Sequence, residues 1–280
     1  KPWPMPATRH VTMVRRIGDA VEDIVQLLKD LGIDEDTLIV FTSDNGTHPA
    51  DRHQPDYFDT FGPYDGRKRD MWEGGIRMPT LVRWPSVIAA GSKSDSPSQS
   101  HDWMATFSDL VGMQPPALCD GVSIAPTLTG RGKQRLGIVY SEYSQPGGRT
   151  ADYIEFEPSR RGRPQDQMQS ILIGDYKGVR VDIKNQNTLF EVYHTLDDIK
   201  ETTNLAGMPG VPTQQQFEAA VLRLRRTDPS APRPYDNALI PSLTGDAIRP
   251  GLIRKEYPGD FDWVPQFHNL TPSDQTVVNG

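Results

Sequence analysis

A carboxylate and an amide stand side by side at the end of the most strand-like run in the chain. Thr37-Leu38-Ile39-Val40-Phe41 is five apolar or β-branched residues without polar alternation, the pattern of a strand buried on both faces. The run stops at Thr42-Ser43-Asp44-Asn45-Gly46. In open α/β sheets, ligands bind just beyond the carboxyl ends of strands. Adjacent Asp44 and Asn45 at such an end offer oxygen donors suited to a hard cation, Ca2+ or Mg2+. Ser-Asp-Asn-Gly is also good turn chemistry, because each residue favours turn geometry for its own reason. Taken alone, these residues leave both readings open.

The elements that would position them follow from periodicity. Val11, Val14, Ile17, Val21, Ile24, Leu28 and Leu31 recur at helical spacing and form one apolar stripe, which Gly32 ends. Arg15, Arg16, Asp19, Glu22 and Asp23 fill the opposite, solvated face. A short link then leads into the strand, giving one αβ unit of a layered fold. Before this helix, Lys1 to Pro6 is proline-rich and reads as extended. After the strand, Thr47 to Arg69 is a long polar loop carrying His48, His53, Arg67, Lys68 and Arg69. Long loops at that edge of a sheet are usually functional, and this one, with segment 145–167, is expected to shape a pocket.

Further along, Thr80 to Trp84 predicts a strand stopped by Pro85, and Trp103 to Val111 a helix stopped by Gly112. Asp120 to Gly130 reads as a turn with a short helical piece, and Gly137 to Tyr143 as a strand. Three short strands over 169–173, 177–183 and 189–193 suggest an antiparallel meander, a second and smaller layer. Phe217, Ala220, Val221 and Leu224 mark a last helix, and from Thr227 the Pro, Asp and Ser content reads as a linker. The expected domains are 1–145, 146–226 and a linker with tail over 227–280.

With 280 residues the chain is long enough for a sizeable core. Its 30 basic against 37 acidic side chains argue against a general nucleic-acid binder, which would carry a basic stripe. No apolar run approaches the roughly 20 residues needed to span a bilayer. Cys119 is the one cysteine, which excludes an intramolecular disulfide and a cysteine-based zinc cluster. Nothing in the composition fixes an oligomeric state. The opening at Lys1, with no signal peptide, and the strand-like Thr276 to Gly280 both suggest a piece of a longer protein.

Several motifs in order carry a resemblance. Leu27 to Gly46 resembles the helix–strand–metal segment of the type I, arylsulfatase-like sulfatases of the alkaline-phosphatase superfamily. Lys68-Arg69-Asp70-Met71-Trp72-Glu73-Gly74-Gly75-Ile76-Arg77-Met78-Pro79 resembles their lysine-to-glycine-glycine signature. His101 to Gly112 and Asp120 to Gly130 are similar to the segments that follow. Gly174-Asp175-Tyr176-Lys177 and Phe190 through Ala206 resemble the C-terminal subdomain. The similarity covers about residues 7–225.

The resemblance implies an α/β fold: an alkaline-phosphatase-like mixed sheet flanked by helices, incomplete here, plus a small antiparallel sheet-and-helix subdomain. It implies hydrolysis of sulfate esters with one Ca2+ and a formylglycine nucleophile made from Cys or Ser in a Cys/Ser-x-Pro-x-Arg motif. On it, Asp44 and Asn45 are two of the calcium ligands, and Lys68 is the catalytic, sulfate-contacting lysine. Lys68 is otherwise a solvated loop lysine between two arginines. His48 is expected either to bind substrate or to line the loop, and His53 to lie on the surface. Glu73 and Arg77 are expected to hold the glycine turn, and His101 and Asp102 to fix the start of the next helix.

The family's remaining calcium aspartates and its nucleophile motif are expected upstream of Lys1. With two of four protein ligands, these 280 residues alone are expected to bind calcium weakly and to be inactive. Cys119 is followed by Asp-Gly-Val and does not match the nucleophile motif, so it reads as a packed thiol. Pro158-Ser159-Arg160 follows Phe156 and reads as a chance match. Gly251 to Phe267 resembles the opening of a protective-antigen-type, carbohydrate-binding β-sandwich, which would make sulfated polysaccharide the natural substrate. The resemblance also places such enzymes in the periplasm or outside the cell. Two alternatives stay open: a phosphodiesterase or phosphonate hydrolase of the same superfamily, and a non-catalytic glycan-binding protein on a sulfatase scaffold.

Overall fold

The computed structural model describes residues 3–49, 55–240, 252–259 and 270–278. The chain divides into one unit of residues 1–92 with 140–241 and another of residues 93–139 with 242–280.

The first unit opens on helix α1, Met5–Asp30. Of the start expected to be extended, Pro4 is, at φ −56° and ψ 147°, but Met5 and Pro6 are already helical. Pro4 is the N-cap and Pro6 sits in the first turn, where a missing N–H leaves no bond unmade. Strand β1, Ile39–Thr42, pairs antiparallel with β2, Thr80–Arg83, with Ile39 opposite Arg83. Asp34, between α1 and β1, accepts two bonds from the Arg83 guanidinium at 2.6 and 2.8 Å and locks this pair to the helix's end. Two expectations fail here. The β1 side chains from Ile39 to Phe41 are half-buried, not buried on both faces. The stripe is spaced as predicted, yet its Val14, Ile17, Ile24 and Leu31 are all more than half exposed, and Ala7 alone is buried in α1. Periodicity identifies a face that is able to pack, and among the described residues little packs on it.

Four strands make the larger sheet of this unit: β3, Tyr140–Ser144; β4, Gln167–Ile173; β5, Tyr176–Arg180; and β6, Glu191–His194. They run in chain order and every neighbour is antiparallel, as the meander predicts. β3, expected within the first α/β domain, is instead the edge strand of this sheet, with Tyr140 opposite Ile171. Helix α5, Gln214–Leu224, begins at a capping box: Thr213 Oγ1 accepts from the Gln216 N–H while Gln216 Oε1 accepts from the Thr213 N–H at 2.8 Å. Its Phe217, Val221 and Leu222 close over Ile171, Ile183, Phe190 and Val192. Phe217 lies so near β5 that a side chain at Gly178 would start 2.6 Å from its ring.

The stretch from Thr227, expected as a linker, adds a residue to this core. Tyr235 is fully buried there, its hydroxyl donating to Glu142 Oε2 at 2.9 Å and accepting from Gln167 Nε2 at 2.8 Å. Arg233 ion-pairs with Glu142 and Asp236, so these polar side chains join the stretch to the sheet while residues 227–232 stay exposed.

In the second unit, α3, Asp102–Leu110, and α4, Ala125–Thr129, pack together. Asp102 is buried and accepts the N–H groups of Gln99 and Val122, both at 2.8 Å, fixing the start of α3. Cys119 is a half-buried free thiol. β7, Leu252–Glu256, pairs antiparallel with β8, Asp274–Val278. Gly251 and residues 260–267 of the sandwich-like motif lie outside the described residues.

Candidate functional site

The Asp44–Asn45 turn and the Lys68 loop are bonded to each other through their backbones. β1 runs out at Thr42, and the chain turns through Ser43 to Gly46. The Gly46 N–H then donates to Gly75 O at 3.0 Å, and the Lys68 N–H to Thr47 O at 2.6 Å. The Gly74 N–H closes the arrangement on Asp65 O at 2.7 Å. Residues 73–76 form a one-turn helix, α2 (Glu73–Ile76), between Trp72 and Arg77. The contact of the first turn on α2 is possible only without a side chain, since a Cβ on Gly46 would fall 2.0 Å from Gly74 O. Three segments far apart in sequence thus become one short-range assembly.

What holds that assembly is a set of charges, of which sequence reading anticipated Glu73 and Arg77 but not Lys177 and Glu201. Glu73 ion-pairs with Arg77 on its own turn and with Lys177 Nζ of β5 at 2.6 Å. Lys177 also reaches Glu201 Oε1 at 3.0 Å, and Glu201 Oε2 accepts the Glu73 N–H at 2.7 Å. Burial pushes the Glu73 carboxyl up, but Lys177 and Arg77 outweigh it and hold the group below its ordinary range. Glu201 is wholly buried, and burial raises it more than its share of Lys177 lowers it. Its backbone takes a positive φ of 56°, unusual for a non-glycine residue.

Two more anchors flank Lys68. Asp65 is fully buried and accepts from Arg160 NH1 at 3.1 Å and from the Glu157 N–H at 2.6 Å. Arg160 lies over the rings of Trp72 and Tyr193, 4.9 and 5.2 Å from their centroids. Asp70 accepts the Arg67 N–H at 2.9 Å and a bond from Gln165, and burial pushes its carboxyl up to about 6. The Pro158-Ser159-Arg160 decoy is therefore a structural piece: Phe156 packs on Phe61 with ring centroids 5.1 Å apart, and Arg160 neutralises Asp65. Lys177 and Glu201 lie within stretches quoted for the family resemblance, but nothing local in them announces a buried partner more than a hundred residues away.

The predicted site residues fall as follows. Asp44 is exposed; Asn45 is half-buried, its amide donating to Gly46 O at 2.9 Å, and Asn45 Oδ1 has no partner among the described residues. The donor chemistry fits a hard cation. The two side chains make a partial set, because no cluster of three or more His, Cys, Asp or Glu suited to a metal exists among the described residues. Lys68 is half-buried and has no ion pair among the described residues. His48 is an exposed residue whose imidazole is nonetheless held below its usual value, first by partial desolvation and then by the charges of Lys68, Arg69 and Arg67. The structure thus brings Asp44, Asn45, His48 and Lys68 into one neighbourhood. His53 lies outside the described residues. Segment 145–167 does meet the loop: Tyr153 stands against Arg67, whose NH1 donates to its hydroxyl at 3.4 Å.

Comparisons with known proteins identify the family and the fold. Residues 6–113 match the Sulfatase family, and residues 60–226, more than half the chain, match the family described as N-sulphoglucosamine sulphohydrolase, C-terminal. Human steryl-sulfatase is 39% identical over 128 residues, which are 42% of this chain and 22% of that protein. The N-acetylgalactosamine-6-sulfatase of Mus musculus is 38% identical over 122 residues, 43% of this chain and 23% of that protein. The chain thus matches less than a quarter of the length of these curated relatives. Among solved structures, one titled as bound to its substrate D-glucosamine-2-N,6-O-disulfate superposes with a TM-score of 0.52 at 24% identity, covering 75% of this chain and 38% of the other. The structure named Ps i-CgsB gives 0.55 at 22% identity, covering 76% and 40%. These likenesses carry the fold, which is the alkaline-phosphatase-like one expected. No helix among the described residues is long and apolar enough to cross a membrane.

Proposed function

The chain belongs to the sulfatase family, and from that premise we propose that it forms part of a hydrolase of sulfate esters carried on glycans. The observation that carries the reading is the direct bonding of the Asp44–Asn45 turn to the Lys68 loop, Gly46 N–H to Gly75 O and Lys68 N–H to Thr47 O. It supports reading the Asp44 and Asn45 oxygens and the Lys68 ammonium, which has no ion pair among the described residues, as parts of one site. Glycans are favoured as carriers by the relatives, whose names include an N-acetylgalactosamine-6-sulfatase and whose solved neighbours include one with a disulfated glucosamine.

On this reading Asp44 and Asn45 hold part of the coordination of Ca2+, which as a Lewis acid would draw charge from a sulfate oxygen. Lys68 faces the sulfate with a fixed positive charge. Charge grows on the sulfate and on the departing ester oxygen as the bond breaks, and a preorganised cation stabilises that charge more than the ground state. The buried clasp below the loop keeps the ammonium from relaxing away. His48, neutral at pH 7 because its value is depressed, serves as a hydrogen-bonding group at the rim. The formylglycine that the family uses as nucleophile would come from outside these residues. The β7–β8 pair is read as the start of the glycan-binding module, and the site of action as outside the cytoplasm.

The test is sulfate release from sulfated saccharides, with and without Ca2+, by the complete protein. Lys68→Ala should lower turnover by about 100-fold or more, the scale of removing one donor to a developing oxyanion. Unchanged turnover would remove Lys68 from the site. A requirement for a second metal would instead favour the phosphonate or phosphodiester reading.

A further inference from the structure

Three consecutive cations, Arg67, Lys68 and Arg69, lie beside the Asp44–Asn45 turn, and the sulfate-ester reading uses one of them. The 2.6 Å bond from Lys68 N–H to Thr47 O lays this segment along His48, on which all three charges act. The three buried acids nearest this segment are already occupied. Asp65 serves Arg160, Asp70 serves the Arg67 N–H and Gln165, and Glu73 serves Arg77 and Lys177. Arg67 rests against Tyr153.

Arg69 is different. It is exposed, it has no ion pair or hydrogen bond from its side chain among the described residues, and its backbone sits at φ 84°. That left-handed conformation favours glycine, and a bulky residue held there is strained. Packing cannot be what this exposed side chain supplies. What it supplies is a guanidinium, whose planar fork matches an oxyanion, one residue from the lysine assigned to the scissile sulfate.

We propose that Arg69 holds a second anionic group of the substrate, a further sulfate or a carboxylate on the same saccharide. This deepens the sulfate-ester reading and rests on it. The substrate is then a polyanionic glycan, not a neutral sugar bearing a single sulfate.

The experiment measures kcat/KM of the complete protein on three saccharides of matched size: monosulfated and otherwise neutral, disulfated, and monosulfated with a uronate. Wild type should prefer the second or third over the first, and that preference should fall about tenfold in Arg69→Gln, mainly through KM, as expected for losing one charge-assisted contact. Arg69→Gly relieves the positive φ and should show the same loss without a stability defect, while Arg69→Lys should recover part of the preference. Loss confined to the disulfated sugar identifies a sulfate as the second group, and loss confined to the uronate a carboxylate. No preference in wild type, or a preference unchanged in Arg69→Gly, overturns the proposal. If wild type releases sulfate from none of the three, the sulfate-ester reading fails. Calorimetric binding of the disulfated sugar, expected about tenfold weaker in Arg69→Gly, then still tests Arg69 by itself, and equal binding sinks it.

Discussion

The loop around Lys68 and the helix α1 are both predicted in the sequence from short patterns, yet they are secured in opposite ways. The loop has almost no apolar pattern, but it is held by three buried acids, Asp65, Asp70 and Glu73, each met by a residue from 157–201. α1 has an apolar stripe seven residues strong and, among the described residues, one buried side chain. Hydrophobic burial is non-directional and accepts any apolar neighbour. Buried ion pairs are the reverse: the desolvation penalty is met only if the particular partner is present in the right geometry. The loop's order therefore depends on named residues, and the helix's order on whatever covers it.

That contrast can be broken in several places. The largest effect is expected from Lys177→Met, which strands Glu73 and Glu201 in the interior without their shared cation. A loss of about 3–5 kcal/mol is expected, read by denaturant unfolding of the complete protein, with Lys68-dependent turnover falling alongside. A loss below 1 kcal/mol would mean that the clasp is decorative.

Next comes a pH effect. Asp70 titrates at about 6 when folded against an ordinary 3.8. Between those values the native state keeps a proton that the unfolded chain has released, so Asp70's contribution is full at low pH and is lost as the pH rises through 6. Relative to Asp70→Asn, wild-type stability should decline by about 3 kcal/mol from pH 3.5 to 7. Parallel pH profiles would dismiss the effect.

A smaller effect concerns His48. An anion bound among Lys68, Arg69 and Arg67 would cancel the charges that help to depress its imidazole. Its titration, followed by NMR, should move up on adding a sulfated saccharide. Binding then takes up a proton, so affinity should rise as the pH is lowered.

The smallest effect sharpens the other side. Ile24→Ser on α1 of the 280-residue chain should change stability by less than about 0.5 kcal/mol, as at exposed positions generally. A loss of several times that in the complete protein would show that the stripe is covered there.

What the sequence disclosed divides along the same line. α1, the meander and α5 were legible because periodicity is a local signal, and so was the role of Glu73 and Arg77 in holding the glycine turn. The proximity of Asp44 to Lys68 was legible only through resemblance, because backbone bonds such as Gly46 N–H to Gly75 O leave no trace in residue type except a glycine. Lys177 and Glu201 were illegible, since a charged residue is by default a surface residue. Their partner Glu73 lies 104 and 128 positions away. β3 was misassigned because its residues specify a strand and not a neighbour. Tyr235 was hidden in a stretch whose exposed prolines and Asp228 look solvated, although Glu142 and Gln167 receive the Tyr235 hydroxyl.

The anchoring of the buried acids Asp65, Asp70 and Glu73 by residues 157–201 has a consequence for recombination. A chimera that grafts this loop onto the C-terminal sheet of a related protein would import three interior acids and leave their cations and amides behind. Loop and sheet are one heritable part, and exchanging substrate preference between relatives will succeed only when the two are moved together.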